Sequence, residues 1–340
     1  MTKLRTVLVG AGKVGVTFAD DPVMAKHYRY ASHAQVLAEH PSLEWGAAVD
    51  VDDAPLAKVR ERWGVTRTGK TVKEACRDYA PELAILATPP GERFEAIEDL
   101  PSLRAVIVEK PLGTTEAESR KFLAACRARN ILVQVNLWRR ADDRMRDIAA
   151  RRDELVGKVQ AAFGVYGNGL HNNGTHMIDL VRMLLGEVEH VQSAPESLRD
   201  AHGPIPGDVH VATMLTLGSG LVVHLTGLDF REYRENGLDI WGTTARLGIF
   251  QEGIGITVSP RTANRGMQGE REIASDAPAP LEPTAGTAFY RMYDNVIAAL
   301  AGKEPLFSTG ESALQTTRVV GLVEQSARDG GLRLAVRGEP

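Results

Sequence analysis

The feature that most constrains this chain lies at its start: "TVLVGAGKVG" (6–15) is an apolar, β-branched run that breaks directly into Gly10-x-Gly12-x-x-Gly15. A strand that ends on such a loop and restarts as a helix gives each glycine its own role. The first makes a tight turn, the second lets backbone approach a pyrophosphate closely, and the third allows close packing of helix on strand. The helix N-terminus then presents unpaired N–H groups and the positive end of its dipole to the phosphates. Dinucleotide binding at Gly10, Gly12, Lys13, Val14 and Gly15 is expected, with a purely structural glycine turn as the competing reading.

The first third of the chain continues in the same style. "LEWGAAVD" (43–50), "LAILAT" (83–88), "AVIVE" (105–109) and "ILVQVN" (131–136) read as further strands. The intervening "PLAKVRERWG", "TVKEACRDYA", "GERFEAIEDL" and "EAESRKFLAACRARN" carry apolar residues at helical spacing. Strands alternating with helices predict α/β architecture: a Rossmann doubly wound parallel sheet. A length of 340 residues exceeds one ordinary core, so we expect residues 1–136 as the dinucleotide-binding domain and 137–340 as a substrate-binding and oligomerisation α+β domain. In that second part "KVQAAFGVYG", "HVATMLTLGSG", "LVVHLTGLDF", "LDIWGT" and "ARLGIFQ" follow one another through turns, as in a mainly antiparallel sheet. One helix, "GTHMIDLVRMLLG" (174–186), interrupts them; 259–286 reads as a surface loop, and helices around 288–302 and 309–328 are expected to pack back on the body.

Ligand chemistry is expected at the strand ends, because ligands of open α/β sheets lie outside the carboxyl ends of the strands. Asp50 ends the second strand, where a carboxylate accepts hydrogen bonds from ribose hydroxyls and repels a 2′-phosphate, favouring NAD over NADP. Its distance from the glycines exceeds the usual ~20 residues, so "DDPVMAKHYRYASHAQ" must hold an insertion after the first helix begins. Thr88 and Pro89 end the next strand as candidate cofactor-wall residues. Glu109 and Lys110 end the one after, Glu109 as a further candidate cofactor contact. A lysine there, beside the nicotinamide, can polarise a carbonyl or hold a hydroxyl as charge develops.

A formal net charge of −4 gives no general attraction to nucleic acid or anionic membranes. No apolar run approaches the ~20 residues of a membrane span, and the start lacks a signal-peptide pattern, so a cytoplasmic setting is expected. Cys76 and Cys126 have neither a disulfide context nor metal-ligand spacing, and no metal is expected.

In order along the chain, "GAGKVG", "VDVD", "ATPP", "EKP", "VNLWRR" and "NNGTHMIDLVRMLLG" resemble the glucose-fructose oxidoreductase / inositol dehydrogenase / rhizopine-catabolism (Gfo/Idh/MocA) family over nearly its whole length. The resemblance implies that Lys110 is the catalytic lysine, that Lys110–Pro111 is cis, and that the second domain is an open-faced sheet through which members associate. It also implies an Asp-x-Gly-x-His-x-x-Asp pattern opening the substrate-facing helix. Here Asn172, Gly174, His176 and Asp179 occupy those positions, so the first carboxylate is an amide. An amide is no proton acceptor, which puts any Asp–His relay in question. His176, near a helix start that disfavours imidazolium, is expected to share acid–base work with Lys110, while Asp179 is expected to be structural.

Around these, Trp138 and Arg139 offer a stacking face and a cation, and "VYGNGLHNNG" offers Tyr166, Asn168, His171, Asn172 and Asn173 to a hydroxyl-rich ligand. Interdomain packing, turn formation and N-capping are the competing roles. The expected function is an NAD-dependent oxidoreductase acting on a hydroxyl or keto carbon of a sugar, cyclitol or nucleotide-linked sugar. Its alternatives are reduction of an imine or conjugated double bond, as in biliverdin reductases, and a non-catalytic NAD-binding sensor or assembly subunit. A homodimer or homotetramer through the C-terminal sheet is expected, since "LVVHLTGL" alternates apolar and polar faces.

Overall fold

The computed structural model describes residues 3–336. The chain divides into two compact units: the first runs to Asp142 and takes in Gly286–Leu314, and the second is Asp143–Ala285 with the chain from Gln315 onward.

In the first unit β1 (Leu4–Val9), β2 (Leu43–Val49), β3 (Arg67–Gly69), β4 (Leu83–Leu86), β5 (Ala105–Val108) and β6 (Leu132–Val135) form a sheet in the order β3-β2-β1-β4-β5-β6, parallel throughout. Every residue of β4 and β5 is buried, as a parallel sheet covered on both faces requires, which is why these strands show no alternation. The helices of this stretch are α1 (His33–Glu39), α2 (Asp53–Trp63), α3 (Val72–Ala75), α4 (Arg93–Glu98) and α5 (Glu116–Ala128). The helix expected over 71–80 is reduced to the single turn α3, held by a capping box between Thr71 and Glu74.

The first helix is split. Val16 N–H bonds Gly12 O at 2.8 Å and Phe18 N–H bonds Lys13 O at 2.8 Å, starting a turn directly after the glycines. The next two carbonyls, Val14 O and Gly15 O, accept from His33 N–H and Ala34 N–H at 3.0 and 2.9 Å. In an unbroken helix residues 18 and 19 would donate those bonds. His33 therefore stands where residue 18 would, and about fifteen residues are looped out of a helix that then resumes in register. With that loop removed, Asp50 falls the usual ~20 residues after the glycines.

The second unit begins with α6 (Asp143–Val156), which the sequence pattern does not signal, and also contains α7 (Thr175–Leu185). Its main sheet joins β7 (Val159–Gly167), β8 (Val188–Ser193), β11 (Thr213–Leu217), β12 (Val222–Leu228), β13 (Gly237–Gly242), β14 (Ala245–Phe250), β15 (Gly255–Ala263), β16 (Arg271–Ile273), β17 (Ala279–Pro280) and β18 (Leu334–Ala335). A separate ribbon pairs β9 (Arg199–Asp200) with β10 (Val209–His210). The order is β16-β15-β14-β13-β7-β12-β11-β8-β18 with β17 on β15, antiparallel except where β12 meets β7. The expected loop over 259–286 is thus partly strand, since β15, β16 and β17 lie within or run into it. The last helices are α8 (Ala288–Leu300), in the first unit, and α9 (Gly310–Arg328).

Alternation along β12 buries Val223 and Leu225 while Val222 and His224 stay exposed. The buried set packs with Ile148 of α6, Ile178 and Val181 of α7, and Val319 and Val323 of α9. The opposite face is open: Phe163 is 49% exposed, and with Met214, His224 and Phe250 it borders a shallow cavity of about 850 Å³.

Candidate active site

The glycine loop can be tested residue by residue. Gly10 has φ +96°, and a Cβ there would lie 2.7 Å from the Ala87 carbonyl, so only glycine joins β1 to the loop beside β4. A Cβ on Gly15 would strike Gly10 O, consistent with the close strand–helix approach. A Cβ on Gly12 would meet nothing within 4 Å, so this position opens onto space where a phosphate can approach the backbone. Lys13 is exposed and Val14 half-buried on the same turn.

Asp50 Oδ2 accepts Ala11 N–H at 2.7 Å and Oδ1 accepts Asp52 N–H at 3.0 Å. The carboxylate is thereby locked to the glycine loop at the end of β2. A cleft of about 580 Å³ is lined by Gly10, Gly12, Asp50, Val72, Thr88 and Pro89. Within the described residues the Thr88 hydroxyl is buried without a hydrogen-bond partner, which fits a polar ligand against that wall. The residues present therefore fit the adenosine and pyrophosphate portion of a dinucleotide.

Glu109 leaves β5 on the same edge. Its Oε1 is held by His33 Nε2 at 2.9 Å and by Asn136 Nδ2 at 2.5 Å, and the other ring nitrogen of His33 bonds the Tyr293 hydroxyl at 2.8 Å. An ionised carboxylate only accepts, so His33 Nε2 carries a proton. Burial alone would raise the Glu109 carboxyl, but the hydrogen bond and charge of His33, the Asn136 amide and the charge of Lys110 outweigh it and hold it below its ordinary value. Burial also keeps Tyr293 protonated, well above the usual phenol range. Glu109, expected from sequence as a cofactor contact, is a carboxylate fixed by His33 and Asn136 directly before Lys110. Lys110 is half-buried and its bond to Pro111 is cis.

Arg93 was not foreseen. Its side chain is 1% exposed. It donates to Thr88 O through Nε (3.1 Å) and Nη2 (2.7 Å), and to Pro111 O (2.6 Å) and Leu112 O (3.1 Å) through Nη1. One guanidinium therefore joins the turn after β4 to the turn that carries Lys110. Burial pulls its pKa down to about 10, so it stays charged near neutrality. In sequence it is one more charged residue at a helix start. Trp138 opens a short 3-10 turn after β6, with the guanidinium of the buried Arg139 4.3 Å from its ring centroid.

In the second unit the helical run carrying His176 begins before α7, as a π-turn at Leu170–Gly174. His176 is consequently more than one turn inside, where the macrodipole effect invoked from sequence has fallen off. Two amides of its first turn, His171 N–H and Asn172 N–H, both donate to Asp208 at 3.0 Å. A carboxylate from beyond the helix thus does the capping, and neither Asn172 nor Asn173 is the N-cap. Asn173 Nδ2 is buried with no hydrogen-bond partner among the described residues.

Tyr166, expected from sequence at the substrate surface, lies in the core. It is fully buried, and its hydroxyl donates to Val211 O and accepts from Val211 N–H, each at 2.9 Å, so it belongs to the core and not to a substrate surface. Asn168 adopts a left-handed turn, φ 53°. His171 Nε2 pairs with Glu324 at 2.8 Å. Asp179 accepts from Thr316 at 2.9 Å and sits 3.5 Å from Arg182, both deep in the unit. Burial pushes the Cys76 thiol up to about 11 and Cys126 up to about 12, so neither is a thiolate near neutral pH.

The strand order, the glycine loop and the cleft on the carboxyl edge define an NAD-binding Rossmann domain followed by an α/β domain. The chain belongs to the Gfo/Idh/MocA oxidoreductase family: the family's NAD-binding Rossmann fold matches residues 4–137 and its C-terminal alpha/beta domain matches 160–336. It is 23% identical over 236 residues to the rhizopine catabolism protein MocA of Rhizobium meliloti, covering 63% of this chain and 68% of that one. Its fold is similar to the WlbA dehydrogenase of Chromobacterium violaceum solved with NADH and UDP-GlcNAcA (TM-score 0.76, 20% identity, 100% and 98% of the two chains). It is also similar to an Agrobacterium radiobacter oxidoreductase solved with NAD+, L-tartaric acid and magnesium (TM-score 0.74, 15% identity, 98% and 99%).

Proposed function

We propose that this oxidoreductase transfers hydride between NAD(H) and a hydroxyl or keto carbon of a sugar, cyclitol or nucleotide-linked sugar. The observation that carries the reading is the position of Lys110: it follows β5 on the edge that holds the glycine loop, Asp50 and Thr88, next to a carboxylate locked as an anion by His33 and Asn136. NAD(H), when bound, supplies or takes the hydride. Lys110 hydrogen-bonds the substrate oxygen and stabilises the charge that develops on it, and the Glu109 anion beside it favours the ammonium form. His176 accepts or returns the hydroxyl proton, with Asn172 and Asn173 positioning substrate. Asp50, fixed by two backbone amides, receives the ribose hydroxyls and disfavours a 2′-phosphate, which supports NAD over NADP.

WlbA, one of the similar proteins, was solved with a nucleotide-linked sugar, which supports a sugar-related substrate. The open sheet face supports a homodimer or homotetramer. Among the described residues no helix is long and apolar enough to cross a membrane, and a cytoplasmic setting forms part of the proposal. Turnover of ketosugars, cyclitols and sugar nucleotides by the wild type, Lys110→Ala and His176→Ala tests the assignment; near-normal rates in both variants remove it.

A further inference from the structure

We infer that the segment looped out of the first helix, residues 17–31, is a specificity element that delivers Tyr28 to the substrate side of the Rossmann unit. The inference rests on the sugar or cyclitol reading above and deepens it.

The loop is built to stay in place. Tyr30 is buried, packs on Tyr290 of α8 with ring centroids 5.0 Å apart, and donates its N–H to Gly286 O at 3.1 Å. The chain passes so close to Gly286 that a Cβ there would lie 2.5 Å from His27 O. At its start Asp20 pairs with Arg62 and lies 3.7 Å from Lys58, both on α2. None of these anchors uses Tyr28.

Tyr28 reaches the far edge of the sheet, past β6. The loop departs beside β1 and brings Tyr28 edge-on to Trp138, just past β6, with centroids 6.3 Å apart and planes at 85°. In the order β1-β4-β5-β6 that is a lateral crossing of about 14 Å at the usual strand spacing. Two residues before Trp138, Asn136 holds Glu109 through its side chain and Val108 O through its N–H at 2.8 Å, and Lys110 is the next residue after Glu109. Tyr28 and Trp138 are both half-buried, so aromatic surface remains accessible just past β6, the strand paired with the one whose turn carries Lys110. Perpendicular rings of this kind offer a flat face and an edge to the C–H face of a six-membered polyhydroxylated ring.

The experiment compares wild type, Tyr28→Ala and Tyr28→Phe. NADH affinity is read by fluorescence, and kcat and KM are read with NAD+ and a panel of myo-inositol, D-glucose and UDP-N-acetylglucosaminuronate. Tyr28→Ala is expected to raise KM for the ring substrate about three- to tenfold, with NADH affinity within about twofold of wild type; Tyr28→Phe, which keeps the ring, restores KM. An unchanged KM in Tyr28→Ala, or an equal loss of NADH affinity, overturns the inference and leaves the reaction assignment standing. A wild type that turns over no ring substrate overturns the sugar or cyclitol reading itself, and the inference with it.

Discussion

His33 and Glu109, seventy-six positions apart, meet in a 2.9 Å hydrogen bond beneath the turn that carries Lys110. The carboxyl is held below its unfolded value of about 4.3. A carboxylate depressed in the folded state binds fewer protons there than when unfolded, so its contribution to stability is complete above about pH 5 and is lost as pH falls toward the folded value. Melting curves from pH 7 to pH 3 should show Glu109→Gln less stable than wild type at neutrality, with the gap closing in acid. A gap that stays constant with pH contradicts the ionised assignment.

Arg93→Met leaves three backbone carbonyls without their donor and should cost on the order of 3 kcal/mol. Arg93→Lys, which supplies one charge but no fork, should recover only part of it. Denaturant titration checks the ranking; a fully stable Arg93→Met variant would separate this residue from the architecture of the two turns.

Asp50→Ser removes both the carboxylate proposed to receive ribose hydroxyls and the acceptor for Ala11 N–H. NADH binding, followed by fluorescence, should weaken roughly ten- to hundredfold while NADPH binding weakens less or improves. Equal weakening of both cofactors would show that Asp50 does not select between them.

Phe163, on the open face of the second unit's sheet, is half exposed beside His224, their rings stacked 5.5 Å apart. Phe163→Glu should shift the proposed oligomer to monomer in light scattering at micromolar concentration, with its melting temperature little changed. A wild type that is already monomeric defeats the assignment of that face.

Much of this was legible in the sequence because it depends on local rules. Gly10 and Gly15, where a side chain would clash, the buried strands, and the Asp50 and Lys110 strand ends are readable from residue type and spacing. The insertion is foreseeable from the long gap to Asp50, but its consequence is not: displacement by about fifteen residues hides His33 from any pattern anchored on the glycines. Arg93 is invisible because its role lies in four bonds to carbonyls, two of them distant in sequence. Tyr166 is misplaced because a tyrosine amid polar residues reads as a ligand contact, whereas strand alternation turns it inward to Val211. The macrodipole argument for His176 fails because Gly169 and the Asp208 carboxylate start the helical run earlier than the sequence suggests. α6 escapes because few of its residues, Met145, Ile148 and Val156 among them, are buried within an otherwise arginine-rich stretch.

The central claim is that Lys110 serves the hydride-transfer step and not the binding of cofactor. The most direct measurement is deuterium transfer from 4-deuterated NADH to a ketosugar turned over by the wild type, compared with Lys110→Met, alongside NADH affinity for both. The account predicts label in the wild-type product, a loss of about a hundredfold or more in the variant's rate, and NADH affinity close to wild type. Label transfer by Lys110→Met at the wild-type rate would contradict it.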